Sequence, residues 1–352
     1  MTMTPLETWV YDSTLTSLLR RGRNNIHLAD GFVDYQTIPT KTNTGAFNIS
    51  DPTRQQIIGS SPLSLTTPNV TYQNVDFYVP VVRVKAANIR FINCYFHGEQ
   101  WASGPATSAN TTTVWDTLLD CRDSACVGCY VERCTFSPDY PNWLYTGIIG
   151  HDYVAYRSQF TRSVDGFGVY RTQQYNVDTN VQILCNYIDE LAWFTGEQGV
   201  VHPSDTKTHN DGIQIQGGNR TKVWGNYIGG FLSTDPTVGT QDFYGTGRTY
   251  NNSNACIQMN SGGVGYTFAT DIQYNFMDGA GEMLNAGGVD STAAAGVPED
   301  IRNFFGIISH NRIGRKALYP GQELTLSNTV TFTATDNTYM DNGADCAVRT
   351  NG

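Results

Sequence analysis

From about residue 60 onwards the chain alternates apolar and polar residues in short runs, and the runs are separated by Gly, Asn, Asp and Thr. Alternation with a period of two, bounded by turn formers, predicts many short strands joined by tight turns. The exception lies at the start. Between Leu6 and Arg23 the apolar residues Leu6, Trp9, Val10, Leu15, Leu18 and Leu19 fit one amphipathic helix, and no long 3.6-residue pattern recurs after it. The fold class expected is therefore all-β with a short N-terminal helical segment.

Two kinds of run alternate along the chain. One places Asn inside an apolar strand: Ile89-Arg-Phe-Ile-Asn-Cys-Tyr-Phe96, Val181-Gln-Ile-Leu-Cys-Asn-Tyr-Ile188, Val223-Trp-Gly-Asn-Tyr-Ile228, Ile272-Gln-Tyr-Asn-Phe-Met277 and Ile307-Ile-Ser-His-Asn-Arg-Ile313. The other precedes it: Asp116-Thr-Leu-Leu, Thr146-Gly-Ile-Ile, Asp165-Gly-Phe-Gly-Val-Tyr170, Asp211-Gly-Ile-Gln-Ile-Gln216 and Ala255-Cys-Ile-Gln-Met-Asn260. Successive copies of this second run start 30, 19, 46 and 44 residues apart, so each period reads as one coil of a solenoid with a loop of variable length. Stacked coils would turn Phe167, Val169, Ile213, Ile215, Ile257 and Met259 inward as apolar columns and let the turn asparagines ladder their amides. That geometry is a parallel β-helix. A sandwich would need hairpin loops instead of repeated in-register units, and a propeller would need a fixed blade signature. The expected division is an N-terminal cap or attachment segment over 1–60 and the solenoid over 61–352.

Composition narrows the function classes. The net charge is -10, and only 5 of the 22 basic residues are Lys, with no basic run longer than Arg20-Arg21. Neither a phosphate-tracking nucleic-acid binder nor a protein drawn to anionic membranes fits this balance. No stretch of 18 apolar residues occurs, and the N-terminus lacks the apolar core of a secretory signal, so neither membrane insertion nor secretion by a leader is expected. Cys126-Val-Gly-Cys129 has the spacing of half a zinc ribbon or a redox pair, but a second CxxC is missing. Cysteines within strand-like alternation, as in Cys129-Tyr-Val-Glu-Arg-Cys134, read as small buried hydrophobes, with a metal site and a disulfide as the competing readings. No metal and no cofactor are expected.

Segments 70–96 and 209–228 resemble right-handed β-helix proteins of the pectate-lyase-like superfamily, most of all the tail spikes and minor tail proteins of phages infecting actinobacteria. The resemblance spans roughly Val70 to Met340. It implies a right-handed single-stranded parallel β-helix, a virion protein assembled in the host cytoplasm, and a homotrimer. It further implies two partners, other phage tail proteins and a host-surface polysaccharide that the chain binds and, if it is an enzyme, degrades as a lyase or glycoside hydrolase. The superfamily hosts many activities, so fold does not carry function here. A free carbohydrate-active enzyme and a purely structural virion component are the alternative readings.

A stack of strands offers a long shallow groove suited to a linear polymer, and its outward positions include Gln214, Gln216, Gly168, Tyr170, Gln258, Asn260, Ile149 and His151. The insertion over 189–208 adds Trp193, Phe194, Glu197, His202 and Asp205, followed by His209 and Asp211, and loops on rigid scaffolds carry function disproportionately. Asp165, His209 and Asp211 are the candidate catalytic residues, and Trp193, Glu197, Gln214, Gln216, Tyr170 and Arg171 the candidate substrate contacts. Three readings compete at Asp211: a turn carboxylate of the Asp-Gly type, repeated at Asp165-Gly166, a glycan-processing acid, and a His/Asp metal ligand. Stacking by one coil, about 4.8 Å, would bring Asp165 and Asp211 into the range a hydrolase needs. A lyase would instead need a base beside a cation that neutralises a uronate, for which Arg162, Arg171 and His209 are nearest. The catalytic motifs of pectate lyases and polygalacturonases are not present. Thr325 to Met340 reads as final coils or a β-rich trimer contact.

Overall fold

A computed structural model describes residues 25–28, 31–34, 38–99, 115–142, 144–169, 171, 179–192, 208–230, 254–261, 267, 269–289, 304–315, 321, 323–327 and 331–351. The helix expected within 6–23 lies outside them. The described residues hold three parallel sheets of ten, nine and ten strands, in addition to one antiparallel hairpin, Asn25–Leu28 with Gly31–Asp34. Each coil contributes one strand to each sheet in turn, so every strand inside a sheet pairs with its counterparts one coil before and one coil after. The protein is a right-handed parallel β-helix.

Sheet 1 runs from Leu63–Leu65 to Val348–Asn351 and contains the Asp165–Val169, Asp211–Gln216 and Ala255–Ser261 strands. Sheet 2 follows it in each coil, as in Gln182–Leu184 and Lys222–Trp224, and sheet 3 completes the coil, as in Tyr187–Ile188 and Tyr227–Gly229. The inward column of sheet 1 is in register: Phe167 pairs with Ile213, Ile213 with Ile257 and Ile257 with Leu284. The expected apolar columns are thus stacked rungs of one parallel sheet. Thr325–Met340 supplies final coils, with Leu324–Ser327, Thr331–Thr335 and Thr338–Tyr339 in sheets 1, 2 and 3.

The interior is filled by like residues above one another. In sheet 3 the rings of Phe77, Phe96, Phe136 and Phe160 stack at centroid distances of 4.9, 4.3 and 4.6 Å. Ile188, Ile228, Met277 and Ile313 continue that column. All eight cysteines are buried free thiols, so the reading as small hydrophobes holds and no disulfide forms.

The turn from sheet 2 to sheet 3 decides the shape of each coil. Asn93, Arg133, Arg157, Cys185, Tyr274, His310 and Asp336 occupy it with φ between 48° and 58°, and Gly225 with φ 66°. One left-handed residue bends the chain sharply, and the residue after it turns inward. From Asn186 onwards that next residue is asparagine: Asn186, Asn226, Asn275, Asn311 and Asn337. Asn226 Oδ1 accepts from the Asn186 backbone N–H at 2.9 Å and from Asn186 Nδ2 at 3.0 Å, while Asn226 Nδ2 donates to the Ile183 carbonyl at 2.8 Å. The pattern repeats at every rung to Asn337. Buried amides are tolerated because every donor and acceptor is used.

Residues 38–54 lie across this turn. Gly45 N–H donates to the Arg157 carbonyl at 2.8 Å, Ala46 N–H to Thr135 Oγ1 at 2.9 Å and Phe47 N–H to Asn93 Oδ1 at 2.7 Å. Arg54 then forms a buried ion pair with Asp76 at 2.7 Å. The first strand to join the stack, Gln55–Ile58, follows at once.

Candidate functional site

The outer face of sheet 1 carries one side chain per coil in a straight row. Arg83, Asp120, Ile149, Gly168, Gln214, Gln258 and Asn285 are successive register partners along it. Gln214, Gln258 and Asn285 are partly exposed, as alternation from the inward Ile213 and Ile215 predicts. Gln216 pairs with Asn260 one step further along the strand. His151 departs from the expected outward row: it is buried, because its Nδ1 lies 2.8 Å from Asp152 Oδ2 at the turn that ends sheet 1.

Asp165 and Asp211 open their strands on adjacent coils. Asp165 Oδ1 accepts the backbone N–H of Asp211 at 2.8 Å, and Asp211 Oδ1 accepts the backbone N–H of Ala255 at 3.1 Å. Each carboxylate therefore caps the coil above its own. Asp211 is also held by Asn254 Nδ2 at 3.0 Å and approached by Gln214 Nε2 at 3.4 Å. The glycines that follow are not left-handed turn residues. A Cβ on Gly166 would stand 2.5 Å from the Gly212 carbonyl oxygen, and one on Gly212 would stand 2.6 Å from that of Cys256, so close stacking of coils demands glycine at both positions.

Two carboxyls one rung apart and withdrawn from water do not ionise freely. Burial pushes the Asp211 carboxyl up to about 7, against the opposing hydrogen bonds from Asn254, Ala255 and Gln214. Loss of hydration also raises Asp165 well above the usual carboxylate range, and the charge of Asp211 adds to it. The charge on Asp211 thus opposes ionisation of Asp165, and the two titrations are linked.

Other predicted site residues are distributed differently. His209 is exposed two residues before Asp211. Arg171 is not beside the acid pair: it follows the far end of the Asp165–Val169 strand, roughly 20 Å of extended chain from Asp165. Its Nη1 is 2.9 Å from Asp152 Oδ2, in a network completed by Asn180 Nδ2 at 2.6 Å from Asp152 Oδ1. Arg162 turns to the carbonyls of Pro138 and Asp139, each at 3.2 Å. Tyr170, Trp193 and Glu197 lie outside the described residues, as do Phe194, His202 and Asp205. Among the described residues no group of three or more His, Cys, Asp or Glu is arranged to hold a metal ion.

No family model, no curated protein and no solved structure matches this chain. The reading of the site rests on its residues.

Asn254 escaped the sequence reading, although its place just before Ala255, the position equivalent to Asp211, marks it once the register is known. So did Arg83, Lys85, Asp116, Asp120 and Arg122, at the N-terminal end of the same face. The alternation in Val82-Arg-Val-Lys85 is the signal that points Arg83 and Lys85 outward together.

Proposed function

We propose that this chain is a phage tail-associated spike or minor tail protein whose sheet 1 outer face binds a linear host-surface polysaccharide. The observation that carries the reading is the in-register row of Gln214, Gln258 and Asn285 beside the Asp165 and Asp211 carboxyls. Amide side chains at a repeat of about 4.8 Å match a polymer that offers hydroxyls at every residue. The tail assignment and the homotrimer come from the family resemblance of segments 70–96 and 209–228.

If the glycan is cleaved, the acid pair is the place. The rung spacing of about 4.8 Å suits a double displacement with retention, in which the carboxyl that carries a proton gives it to the leaving oxygen, its neighbour attacks the sugar to form a glycosyl ester, and water then hydrolyses that ester as the first carboxyl takes a proton back. Arg162 and Arg171 both turn elsewhere, which favours hydrolase over lyase chemistry. The capping bonds to Asp211 and Ala255 N–H favour a second reading, an adhesin without turnover, because both carboxyls already have structural work.

The test is incubation of the full chain with purified host envelope polysaccharide. Binding with release of reducing ends, lost in Asp165→Asn and Asp211→Asn variants that still fold, supports the hydrolase. Binding without reducing ends or unsaturated uronate leaves the adhesin. No binding to any envelope glycan overturns the proposal. Light scattering tests the trimer, and immunolabelling of virions tests the tail assignment.

A further inference from the structure

Three of the eight buried thiols meet at one place. Cys121 closes the Thr117–Cys121 strand of sheet 1, Cys129 opens the Cys129–Glu132 strand of sheet 2, and Cys126 lies in the turn that joins them. Each of the three side chains hydrogen-bonds to the other two. Gly128, with φ 67°, bends the turn just before Cys129. Bonds between coils fix the outer two: the Cys121 carbonyl accepts the His151 N–H at 3.2 Å, and the Cys129 N–H donates to the Asp152 carbonyl at 2.9 Å. Cys126 is held more locally. Its N–H donates within the turn, to the Asp123 carbonyl at 2.8 Å, and its buried side chain is flanked by exposed Ser124, Ala125 and Val127. Hydrogen bonds from Cys121 and Cys126 pull the Cys129 thiol down to about 5, against burial. Tyr153 is the register partner of Cys129 on the next coil, and its hydroxyl, buried beside the three thiols, has no hydrogen-bond partner.

We infer that Cys126 and Cys129 are an oxidation site, which a hydroperoxide converts to a disulfide while the chain stays folded. The inference is independent of what the outer face of sheet 1 binds. A small oxidant reaches the pair by displacement of the short exposed turn, without unfolding a coil. In the first step the Cys129 thiolate attacks one peroxide oxygen, the O–O bond breaks, and the departing oxygen takes a proton and leaves as water or an alcohol. Cys129 is then a sulfenic acid, and the Tyr153 hydroxyl is placed to donate to its oxygen. In the second step the Cys126 sulfur attacks the Cys129 sulfur, the S–O bond breaks, and the hydroxyl leaves as water with the Cys126 proton. Two thiols are oxidised and one hydroperoxide is reduced. Cys126 is the partner because closing from contact to a bond requires one backbone to move, and Cys121 and Cys129 are fixed in the ladders of two different sheets. Reducing surroundings keep the thiols free, and oxidising ones tie the turn to the head of the sheet 2 strand.

A second pair of thiols supplies the internal comparison. The Cys94 N–H donates to Cys134 Sγ at 3.4 Å, but both residues sit between the sheet 2 and sheet 3 strands of successive coils, where neither backbone can move, so this pair should stay reduced. The test exposes the full chain at neutral pH to excess hydrogen peroxide, then counts thiols in denaturant and maps peptides without reductant. The count should fall from eight to six as two thiols join, the bond should map to Cys126 and Cys129, and dithiothreitol should restore all eight. In Cys126→Ala the reaction should stop at the sulfenic acid, which dimedone added with the denaturant traps on Cys129, and Cys129→Ala should keep all its remaining thiols. Eight surviving thiols in a treated chain overturn the proposal. So do a bond mapped to Cys121 or to Cys94 and Cys134, loss of thiols only as the far-ultraviolet spectrum collapses, and absence of the dimedone adduct from folded Cys126→Ala. Should either variant fail to fold, the thiol count and the map of the wild type decide.

Discussion

Two columns of this solenoid perform the same geometric task with different chemistry. At the turn between sheets 2 and 3, Asn186, Asn226, Asn275, Asn311 and Asn337 each accept the backbone N–H of the coil below. At the start of sheet 1, Asp165 and Asp211 accept the backbone N–H of the coil above. The amide both donates and accepts, so a stack of asparagines satisfies itself without charge. A carboxylate only accepts, so a stack of two must repel or share a proton. A column that needed nothing but caps would be better served by amides, as the asparagine turn demonstrates. Carboxyls at the start of sheet 1 make the same kind of cap with a group that can also take up and release a proton.

The contrast can be broken most forcefully at the asparagine turn. Asn226→Ala removes the partner of the Asn186 backbone N–H and takes one hydrogen bond each from the Asn186 amide, the Ile183 carbonyl and the Asn275 amide oxygen inside the core. A loss of about 3–5 kcal/mol is expected, read as a fall in the denaturant midpoint. Asn226→Asp should be at least as damaging, because a carboxylate there would face the Asn275 oxygen and the Ile183 carbonyl without a proton to donate.

The opposite exchange at sheet 1 should behave differently. Asp211→Asn keeps the cap on Ala255, and Gln214 can rotate its amide to accept from the new donor. Stability at pH 8 should hold or rise by about 1–2 kcal/mol, since a buried charge is removed. Unfolding at pH 8 compares the two asparagine/aspartate exchanges directly, and equal losses in both would erase the distinction between the columns.

The pH dependence follows from the same pair. Asp165 and Asp211 titrate higher in the folded chain than the ordinary value of 3.8, so the stability they contribute is fully present below that value. It is lost as the pH rises through about 7, the folded value of Asp211. Melting temperature should fall between pH 5 and pH 8, by an amount equivalent to on the order of a few kcal/mol, and Asp211→Asn should flatten most of that slope. A slope unchanged in the variant would assign the effect to other groups.

The smallest effect sharpens the comparison within the turn itself. Towards the N-terminus the ladder position is filled by Ser158, Cys134 and Cys94 in place of asparagine. Ser158 Oγ accepts the Cys134 N–H at 3.1 Å and donates to the Tyr156 carbonyl. Ser158→Ala should cost only about 1–2 kcal/mol, because two hydrogen bonds are lost where Asn226→Ala loses four.

The coil architecture was legible in the sequence to an unusual depth. Inward Phe167, Ile213 and Ile257 and outward Gln214 and Gln258 follow from period-two alternation, and repetition of like units implies that like residues stack. The asparagine ladder was legible for the same reason, since Asn recurs at one place in successive units. Local periodicity is a property of the chain, so the chain reveals it.

What lies between coils was decided by the fold alone. The Asp-Gly pairs at 165–166 and 211–212 have the look of local turns, yet each carboxyl caps the next coil and each glycine is set by the backbone stacked above it. Loop lengths between units differ, so sequence distance does not tell which residues become neighbours: Asp165 meets Asp211 from 46 residues away, whereas Arg171, only six residues from Asp165, is carried to the other end of the strand and paired with Asp152. His151 is drawn into the same turn and buried. Sequence alternation assigns a side chain to a face, and the register of one coil on the next, set by packing of the Phe and Ile columns, determines which charges meet across it.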